Sequence, residues 1–308
     1  MPIRRLILVD GHAVMYRSFY GIPELSTADG RPTNAVFGFI RMIRQVRQKW
    51  QPTHMIVVFD GGMPPRRLAL LSTYKAQRPP MPEPLRGQFA IAEEYLQRAD
   101  IPWLKMQLEE GDDVIATLAR KAEVDGSEVL IVTNDKDMYQ LVNEHTRMVP
   151  PSDTDKIVAI DEIRTKTGVG PDKIIEWLAL IGDASDNING VPGVGPKTAA
   201  KLLAQHGSIE GIFKGLAEVT SHGIRKALEQ SRDIVMRNME LIRLSCDLEC
   251  APDWMASEVR PENPDVLRPF LKDLELNSLM KEWSAKREKS ILTLDAGGRC
   301  DTLSFNFD

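Results

Sequence analysis

The sequence predicts an α/β fold in which a mainly parallel sheet is flanked by helices and followed by an all-helical region. Three short apolar runs carry this prediction, at residues 6–9, 55–59 and 129–133. Helical periodicity fills the intervals between them, as expected when buried parallel strands alternate with covering helices. From about Gly168 onward the pattern becomes helical throughout.

Each apolar run predicts a strand because it is short, rich in β-branched residues and bounded by turn formers. The first run ends at Asp10, the second at Asp60, and the third leads into Asn134 and Asp135. Because the carboxyl ends of parallel strands meet at one edge of a sheet, we expect these acids to lie close together.

The helices are predicted from apolar residues spaced three and four apart. One face carries Val36, Ile40, Ile43 and Val46; the others carry Phe89, Ala92, Tyr95 and Leu96, then Val114, Ile115 and Leu118, and, in the helical region, Ile174, Ile175, Leu178 and Ile181. The last residues, 284–308, are polar and patternless, which predicts a flexible tail.

Composition places the chain among ordinary globular proteins, with 43% hydrophobic and 27% charged residues in a length of 308. No apolar run reaches membrane length and the N-terminus does not resemble a signal peptide, so we expect a cytoplasmic protein without membrane contact. We also expect a monomer. The three cysteines, Cys246, Cys250 and Cys300, are odd in number and lack a histidine cluster, which disfavours disulfides and zinc.

Acidic residues are the most informative feature of the chain. Residues 109–113, Glu-Glu-Gly-Asp-Asp, precede a predicted helix; one acid there would be an ordinary cap, but four repel one another unless a cation lies among them. Two further acids follow the helix that Gly182 ends. The candidate metal ligands are Asp10, Asp60, Glu110, Asp112, Asp113, Asp135, Asp137, Asp183 and Asp186.

These nine ligand candidates offer only oxygen, which favours Mg²⁺ or Mn²⁺ over zinc. So many carboxylates suit two ions or more, and paired ions about 4 Å apart support in-line hydrolysis of a phosphodiester. Excluding the nine charges changes the formal net charge from −5 to +4. The acidic balance therefore describes one site and does not exclude a nucleic-acid partner.

A basic, proline-rich segment at residues 73–84 follows the second strand. Its polarity predicts an exposed excursion over the strand ends. Lys75 and Arg78 are either solvated surface residues or phosphate contacts beside the acidic edge.

A glycine hairpin at residues 190–203 lies within the helical region. It differs from a phosphate-binding P-loop because Pro196 intervenes and a helix precedes it. Gly193 and Gly195 would let backbone amides approach a phosphate, with Lys197 and Lys201 adding charge. The alternative is a tight glycine turn between packed helices.

Seven ordered motifs, taken together, resemble the 5′ nuclease family, most closely the 5′ to 3′ exonuclease domain of bacterial DNA polymerase I, a relative of flap endonucleases. They are Val9-Asp10-Gly11, Val58-Phe59-Asp60, residues 74–78 (Tyr-Lys-Ala-Gln-Arg), residues 110–113 (Glu-Gly-Asp-Asp), residues 133–137 (Thr-Asn-Asp-Lys-Asp), residues 182–187 (Gly-Asp-Ala-Ser-Asp-Asn) and the glycine hairpin.

The resemblance implies a PIN-like 5′ nuclease core that cleaves DNA in replication and repair, as a 5′ to 3′ exonuclease and a 5′ flap endonuclease, leaving 5′-phosphates. It implies a catalytic domain at residues 1–170 with an arch over 61–98, and a helical DNA-binding subdomain at 171–283. Expected partners are branched or 5′-flapped DNA and a DNA polymerase or other replication protein.

The family pattern also assigns roles to matching residues. Asp10, Asp60, Glu110, Asp112, Asp113 and Asp135 would hold the tighter ion, and Asp137, Asp183 and Asp186 the weaker one, while Glu109 is left to solvent. Tyr74, Lys75, Arg78 and Arg17 would act at the scissile phosphate. Tyr16 would contact DNA, together with Gly190, Val191, Gly193, Val194, Gly195, Lys197, Thr198 and Lys201 of a helix-hairpin-helix that carries K⁺.

Two departures from the family pattern concern the arch and the chain end. Pro65 leads into Arg66 and Arg67 where the family places an aromatic before an arginine, and Ala69 lies near a position where it has an acid. No polymerase sequence follows, so we expect a stand-alone nuclease or an isolated domain. The alternatives are a non-catalytic, structure-specific DNA-binding scaffold and an RNA-cleaving nuclease on a related fold.

Overall fold

The computed structural model describes residues 4–249 and 251–281. Its centre is a five-stranded sheet in the order β3-β2-β1-β4-β5, in which every neighbouring pair is parallel. The strands are β1 (Arg5–Asp10), β2 (His54–Phe59), β3 (Trp103–Lys105), β4 (Glu128–Val132) and β5 (Thr146–Val149). The predicted mainly parallel sheet is therefore confirmed.

The three predicted strands form the middle of the sheet, and the two that were not predicted form its edges. β3 has three residues and β5 has four, and each pairs with one neighbour only. These strands are too short to show a continuous apolar run, and β5 begins with the polar residues Thr146 and Arg147, so neither carries the signal by which a central strand is recognised.

Helices cover both faces of the sheet. They are α1 (Gly11–Gly21), α2 (Asn34–Trp50), α3 (Pro65–Leu70), α4 (Glu83–Arg98), α5 (Gly111–Val124) and α6 (Ile160–Thr167). Ile7 and Val9 of β1 belong to the core under α1, α2 and α4. Leu6 and Leu8 point the opposite way, into the core under α5, because successive side chains of a strand alternate between faces.

The helical region continues the second of these cores. Its helices are α7 (Ile174–Ile181), α8 (Pro196–His206), α9 (Ile209–Lys214), α10 (His222–Gln230), α11 (Arg232–Ile242) and α12 (Pro264–Asp273). A small antiparallel ribbon, β6 (Gly182–Asp183) with β7 (Ile188–Asn189), lies between α7 and α8. Leu178, Leu202 and Leu228 share one buried cluster with Leu6 and Leu8 of the sheet.

Helix α12 returns to the opposite face of the sheet. Leu267 and Leu271 of α12 are buried with α4 residues such as Tyr95, whose hydroxyl donates to Glu262 at 3.0 Å. The division at residue 170 stays a prediction, and the predicted tail at 284–308 lies outside the described residues. No helix in the described part of the chain is both long enough and apolar enough to cross a membrane.

Candidate metal centre and nucleic-acid interface

Four predicted ligands come together at the carboxyl edge of the sheet. Asp10 ends β1, Asp60 follows β2, Asp135 follows β4, and Asp112 lies in the first turn of α5. Backbone contacts fix three of them. Asp10 accepts from the Ala13 N–H at 2.9 Å, Asp60 from the Gly111 N–H at 2.7 Å, and Asp135 from the Asp137 N–H at 2.9 Å.

The electrostatics of this group show uncompensated negative charge. Burial raises the pKa of Asp10 to about 7, and the charges of Asp60 and Asp135 add to the increase. Burial also raises the pKa of Asp112 well above its usual range, with the charges of Asp135, Asp10 and Asp60 contributing. A bound divalent cation would offset both the burial and the repulsion.

A second acidic group lies beside the first. One carboxylate oxygen from each of Asp137, Asp183 and Asp186 lies within 4.8 Å of the other two. Asp137 Oδ1 is buried and has no hydrogen-bond partner, and burial together with the charge of Asp135 raises the pKa of this carboxyl. Three oxygen donors with one orphaned atom fit a hard divalent cation.

Glu110 and Asp113 differ from Asp10, Asp60, Asp112 and Asp135 because lysine or arginine side chains already contact them. Glu110 accepts from Lys75 Nζ at 2.5 Å, from the Tyr74 hydroxyl at 3.3 Å and from Arg67 Nη1. Asp113 is fully buried and forms a bidentate pair with Arg67 at 2.7 and 3.1 Å.

The expectation that Glu109 is left to solvent is wrong. Its carboxylate accepts from Arg66 Nη1 at 2.7 Å, and 22% of its side chain is exposed. Arg66 belongs to α3, which comes back over the start of α5 and supplies this partner.

The segment around Tyr74 was expected to be an exposed excursion, and this is also wrong at its centre. Tyr74 is 5% exposed, and its hydroxyl donates to Asp186 at 3.1 Å. The Lys75 N–H donates to the Asp186 carbonyl at 3.0 Å, and Arg78 Nη2 donates to Asp186 Oδ1 at 2.6 Å. Tyr74 is buried and Lys75 partly buried because they pair with the acids, whereas residues 76–80, including Arg78, are exposed as expected.

Tyr16 and Arg17 lie on different sides of α1. Tyr16 packs its ring against Phe89 of α4. Arg17 is exposed and lines a groove of about 290 Å³ between α1 and α2, where Arg41 of α2 also lies. Within residues 4–249 and 251–281, neither arginine has a hydrogen-bond or ion-pair partner. The structure does not bring Arg17 into contact with the acids.

The hairpin exposes some of its predicted DNA-binding residues and buries others. Val191 and Val194 are 3% and 5% exposed, and their N–H groups donate to Leu180 and Val191 carbonyls. A Cβ at Gly190 would lie 2.2 Å from the Ile181 carbonyl carbon, so this glycine permits close backbone packing. The residues left for a ligand are Gly193, Gly195, Lys197 and Lys201, which are exposed, and Thr198, which is half-buried.

Two residues at the site were not predicted. Arg67 is 3% exposed and joins Glu110 and Asp113 to the Leu241 carbonyl, which its Nε reaches at 3.0 Å. His12 accepts from the Asp60 N–H at 3.0 Å, and burial lowers the pKa of its ring. The sequence feature that could have indicated a role for Arg67 is the pair of arginines, Arg66 and Arg67, soon after the strand-end residue Asp60.

Comparisons with known proteins agree with this architecture. Residues 5–168 match the family model described as "5′-3′ exonuclease, N-terminal resolvase-like domain", and residues 169–265 match "5′-3′ exonuclease, C-terminal SAM fold". The 5′-3′ exonuclease of Aquifex aeolicus is 37% identical over 282 residues, covering 91% of this chain and 95% of that protein. Thermostable DNA polymerase I of Thermus filiformis is 37% identical over 283 residues, covering 92% of this chain and 33% of that protein.

Solved structures share the fold at lower identity. T5 5′-exonuclease with bound zinc has a TM-score of 0.67 and 22% identity, over 88% of this chain and 98% of that one. The catalytic core of Rad2 in complex with DNA has a TM-score of 0.57 and 18% identity, over 88% of each chain. The two matching family models together span most of the sequence, and the Aquifex relative is covered almost end to end. The chain therefore belongs to the 5′-3′ exonuclease family.

Proposed function

We propose that this exonuclease is a divalent-metal-dependent phosphodiesterase that removes 5′ ends and 5′ flaps from branched DNA and leaves 5′-phosphate products. The observation that carries the proposal is the meeting of two acidic groups at one sheet edge, with Asp135 beside Asp137 between them. Lys75 and Arg78 lie at the same edge.

The two acidic groups define two ion positions. Asp10, Asp60, Asp112 and Asp135, with Glu110 beside them, would hold the first ion; Asp137, Asp183 and Asp186 would hold the second. Oxygen ligands favour Mg²⁺ or Mn²⁺. Such ions, when bound, lower the pKa of an attacking water and stabilise the leaving oxygen of a phosphodiester.

The basic residues at this edge suit a phosphate ligand. Lys75 Nζ lies 2.5 Å from Glu110 and 3.8 Å from Asp186, so its charge lies between the two ion positions. Arg78 is about half exposed and reaches Asp186 from the solvent side. We propose that both side chains bind the scissile phosphate and that Tyr74 holds their segment in place.

Duplex binding is assigned to the exposed part of the hairpin. Gly193, Gly195 and Lys197 surround the N-terminus of α8, which offers free backbone amides and the positive end of the helix dipole. Backbone contacts of this kind bind phosphates without reading sequence. We also propose that the hairpin binds K⁺. The groove lined by Arg17 and the face of α1 that carries Tyr16 would be further DNA contacts.

The cellular setting is proposed from the relatives. DNA polymerase I proteins carry a region similar to this chain over one third of their length, so we propose that the exonuclease acts with a polymerase during replication and repair. We propose that it works in the cytoplasm as a monomer.

The decisive experiment uses a labelled 5′-flap duplex incubated with Mg²⁺ and with EDTA. Wild-type protein should cut only with Mg²⁺, and Asp112→Asn should lose cleavage while keeping flap affinity. Asp161→Asn, which removes an exposed acid of α6, is the matched control and should cut normally. Equal inertness of the wild type in both conditions would contradict the proposal.

The same assay separates the alternatives. A non-catalytic scaffold would bind the flap in Mg²⁺ without shortening it. An RNA-cleaving nuclease would cut a structured RNA of the same shape faster than flap DNA, whereas the proposed enzyme should prefer DNA.

A further inference from the structure

We propose that Asp113 is a positioning residue and not a metal ligand: together with Arg67 it fixes the carboxylate of Glu110 and docks the chain after α11 against α5. This inference rests on the metal-dependent function proposed above.

The Asp113 carboxylate is already surrounded by donors and cations. Its Oδ1 accepts from Arg67 Nη2 at 3.1 Å and from the Ser245 N–H at 2.7 Å. Its Oδ2 accepts from Arg67 Nη1 at 2.7 Å and forms an ion pair with Arg66 Nη2, also at 2.7 Å. A carboxylate has about four lone-pair sites, and here three accepted hydrogen bonds and a close ion pair leave neither oxygen without partners. A metal bond would have to replace a charge-assisted hydrogen bond in a fully buried place.

Asp113 contrasts with the preceding residue, Asp112. Adjacent side chains on a helix do not face the same way. Asp112 lies beside Asp10 and Asp135, and no hydrogen-bond donor among the described residues contacts its carboxylate. Asp113 points toward α3 and the segment after α11. One of the two adjacent acids is therefore free for an ion, and the other is not.

Arg67 connects Asp113 to the metal centre. Its guanidinium is buried, forms the bidentate pair with Asp113 and also donates to Glu110. The remaining donor, Nε, binds the Leu241 carbonyl at the end of α11. Arg67 therefore holds the Glu110 carboxylate in one place, and Asp113 holds Arg67 there.

Charge balance around α3 supports the same division. Arg66, Arg67 and Lys75 contribute three positive charges, and their ion-pair partners are Glu109, Glu110, Asp113 and, at 3.8 Å, Asp186. Removing one member of a buried pair leaves an uncompensated charge, which is costly. Asp113 therefore already has cationic partners, whereas Asp10, Asp112 and Asp135 have none among the described residues.

The chain after α11 is docked at the same point. Besides the Ser245 N–H contact to Asp113, the Thr117 hydroxyl of α5 donates to the Ser245 carbonyl at 3.2 Å. The Leu248 N–H donates to that hydroxyl at 3.3 Å. Asp113 therefore links the helical region to α5, the helix that begins directly after Glu110.

The test compares Asp113→Asn with Asp112→Asn in the full chain, using titration with Mn²⁺ alone and steady-state cleavage of a 5′-flap duplex. Residues that orient metal ligands typically change activity about 10- to 100-fold when altered. We expect Asp113→Asn to keep Mn²⁺ affinity within about threefold of wild type while kcat falls by about tenfold or more and KM for DNA is unchanged. Asp112→Asn should weaken Mn²⁺ binding by more than about tenfold.

Arg67→Lys and Arg67→Ala provide a second route if Asp113→Asn does not fold. Lysine keeps the charge but cannot form the bidentate pair, so Arg67→Lys should recover part of the kcat lost in Arg67→Ala, with Mn²⁺ affinity retained in both. If the Arg67–Asp113 contact served stability alone, both variants would have lower melting temperatures, and kcat would not be higher in Arg67→Lys than in Arg67→Ala.

Three outcomes decide the matter. Loss of Mn²⁺ affinity in Asp113→Asn equal to that in Asp112→Asn would make Asp113 a ligand and overturn the inference. An unchanged kcat in folded Asp113→Asn would overturn the positioning role. Absence of Mn²⁺ binding to the wild type would instead defeat the proposed function, and the inference with it.

Discussion

The hydroxyl of Tyr74 donates to the Asp186 carboxylate at 3.1 Å and joins the segment after β2 to the start of the helical region. The two residues are 112 positions apart. Burial and the charge of Asp186 raise the pKa of Tyr74, so the phenol stays protonated as a donor. This bond fixes the segment that carries Lys75 and Arg78 against an acid of the second proposed ion position.

Replacing Tyr74 by phenylalanine should remove this donor without creating a large cavity. Because a buried carboxylate loses a hydrogen bond, we expect the free energy of unfolding to fall by about 1–2 kcal/mol and kcat by severalfold. Chemical denaturation and flap-cleavage kinetics measure the two effects. Tyr139→Phe is the matched control, since among the described residues its hydroxyl has a single hydrogen bond, from Lys166 Nζ at 3.4 Å. Equal losses in both variants would show that the Asp186 contact contributes nothing specific.

The exposed lysines of the hairpin should control duplex binding. Each of Lys197→Ala and Lys201→Ala should weaken binding and reduce by about one the slope of log affinity against log salt concentration, because one phosphate contact is lost. Lys272→Ala, an exposed lysine on α12, should leave the slope unchanged. Fluorescence anisotropy over a salt titration provides the measurement.

Gly193→Val tests the backbone of the same turn. Gly193 has φ +80°, a conformation that a β-branched residue adopts poorly, although a Cβ there would meet no other atom within 4 Å. The variant should fold with a modest loss of stability and bind duplex more weakly, steeply so at higher salt. Unchanged affinity would favour the alternative of a tight turn that only joins packed helices.

The central sheet could be predicted from the sequence because strand periodicity and strand-end acids are local signals. Asp10, Asp60 and Asp135 each follow an apolar run, and parallel pairing then places them at one edge. The pairings that distinguish one acid from another could not be predicted. Arg67 and Asp113 are 46 positions apart, and no periodicity indicates that they meet.

The polar segment after β2 shows a second limit of sequence interpretation. Composition indicates exposure at Tyr74 and Lys75, but Tyr74 is buried and Lys75 partly buried because the acids supply their partners. The hairpin shows the converse. Val191 and Val194 belong to a motif expected to contact DNA, yet they are apolar and pack into the core.

The groove between α1 and α2 should contribute to DNA affinity. Arg17 and Arg41 lie along it without ion-pair partners in the described part of the chain, so their charges are free for phosphates. Arg17→Ala and Arg41→Ala should each lower the salt slope by about one and raise KM without a large change in kcat. Arg268→Ala, an exposed arginine on α12, is the matched control. A fall in kcat for Arg17→Ala at unchanged KM would instead place Arg17 at the reacting phosphate.

Metal binding should become stronger as pH rises toward neutrality. The pKa of Asp10 is raised from 3.8 to about 7, so between these values the folded protein holds a proton that the unfolded chain has lost. In the absence of metal, this carboxyl therefore contributes less stability as pH rises through that window.

A divalent ion competes with the same proton and gains affinity over the same range. The increase in melting temperature caused by Mn²⁺ should be larger at pH 8 than at pH 5.5, and differential scanning fluorimetry measures it. Asp161→Asn should behave as wild type, whereas Asp10→Asn should lose part of the difference between the two pH values, since burial also raises the pKa of Asp112. An equal increase at both pH values in the wild type would show that protons and the ion do not compete for this site.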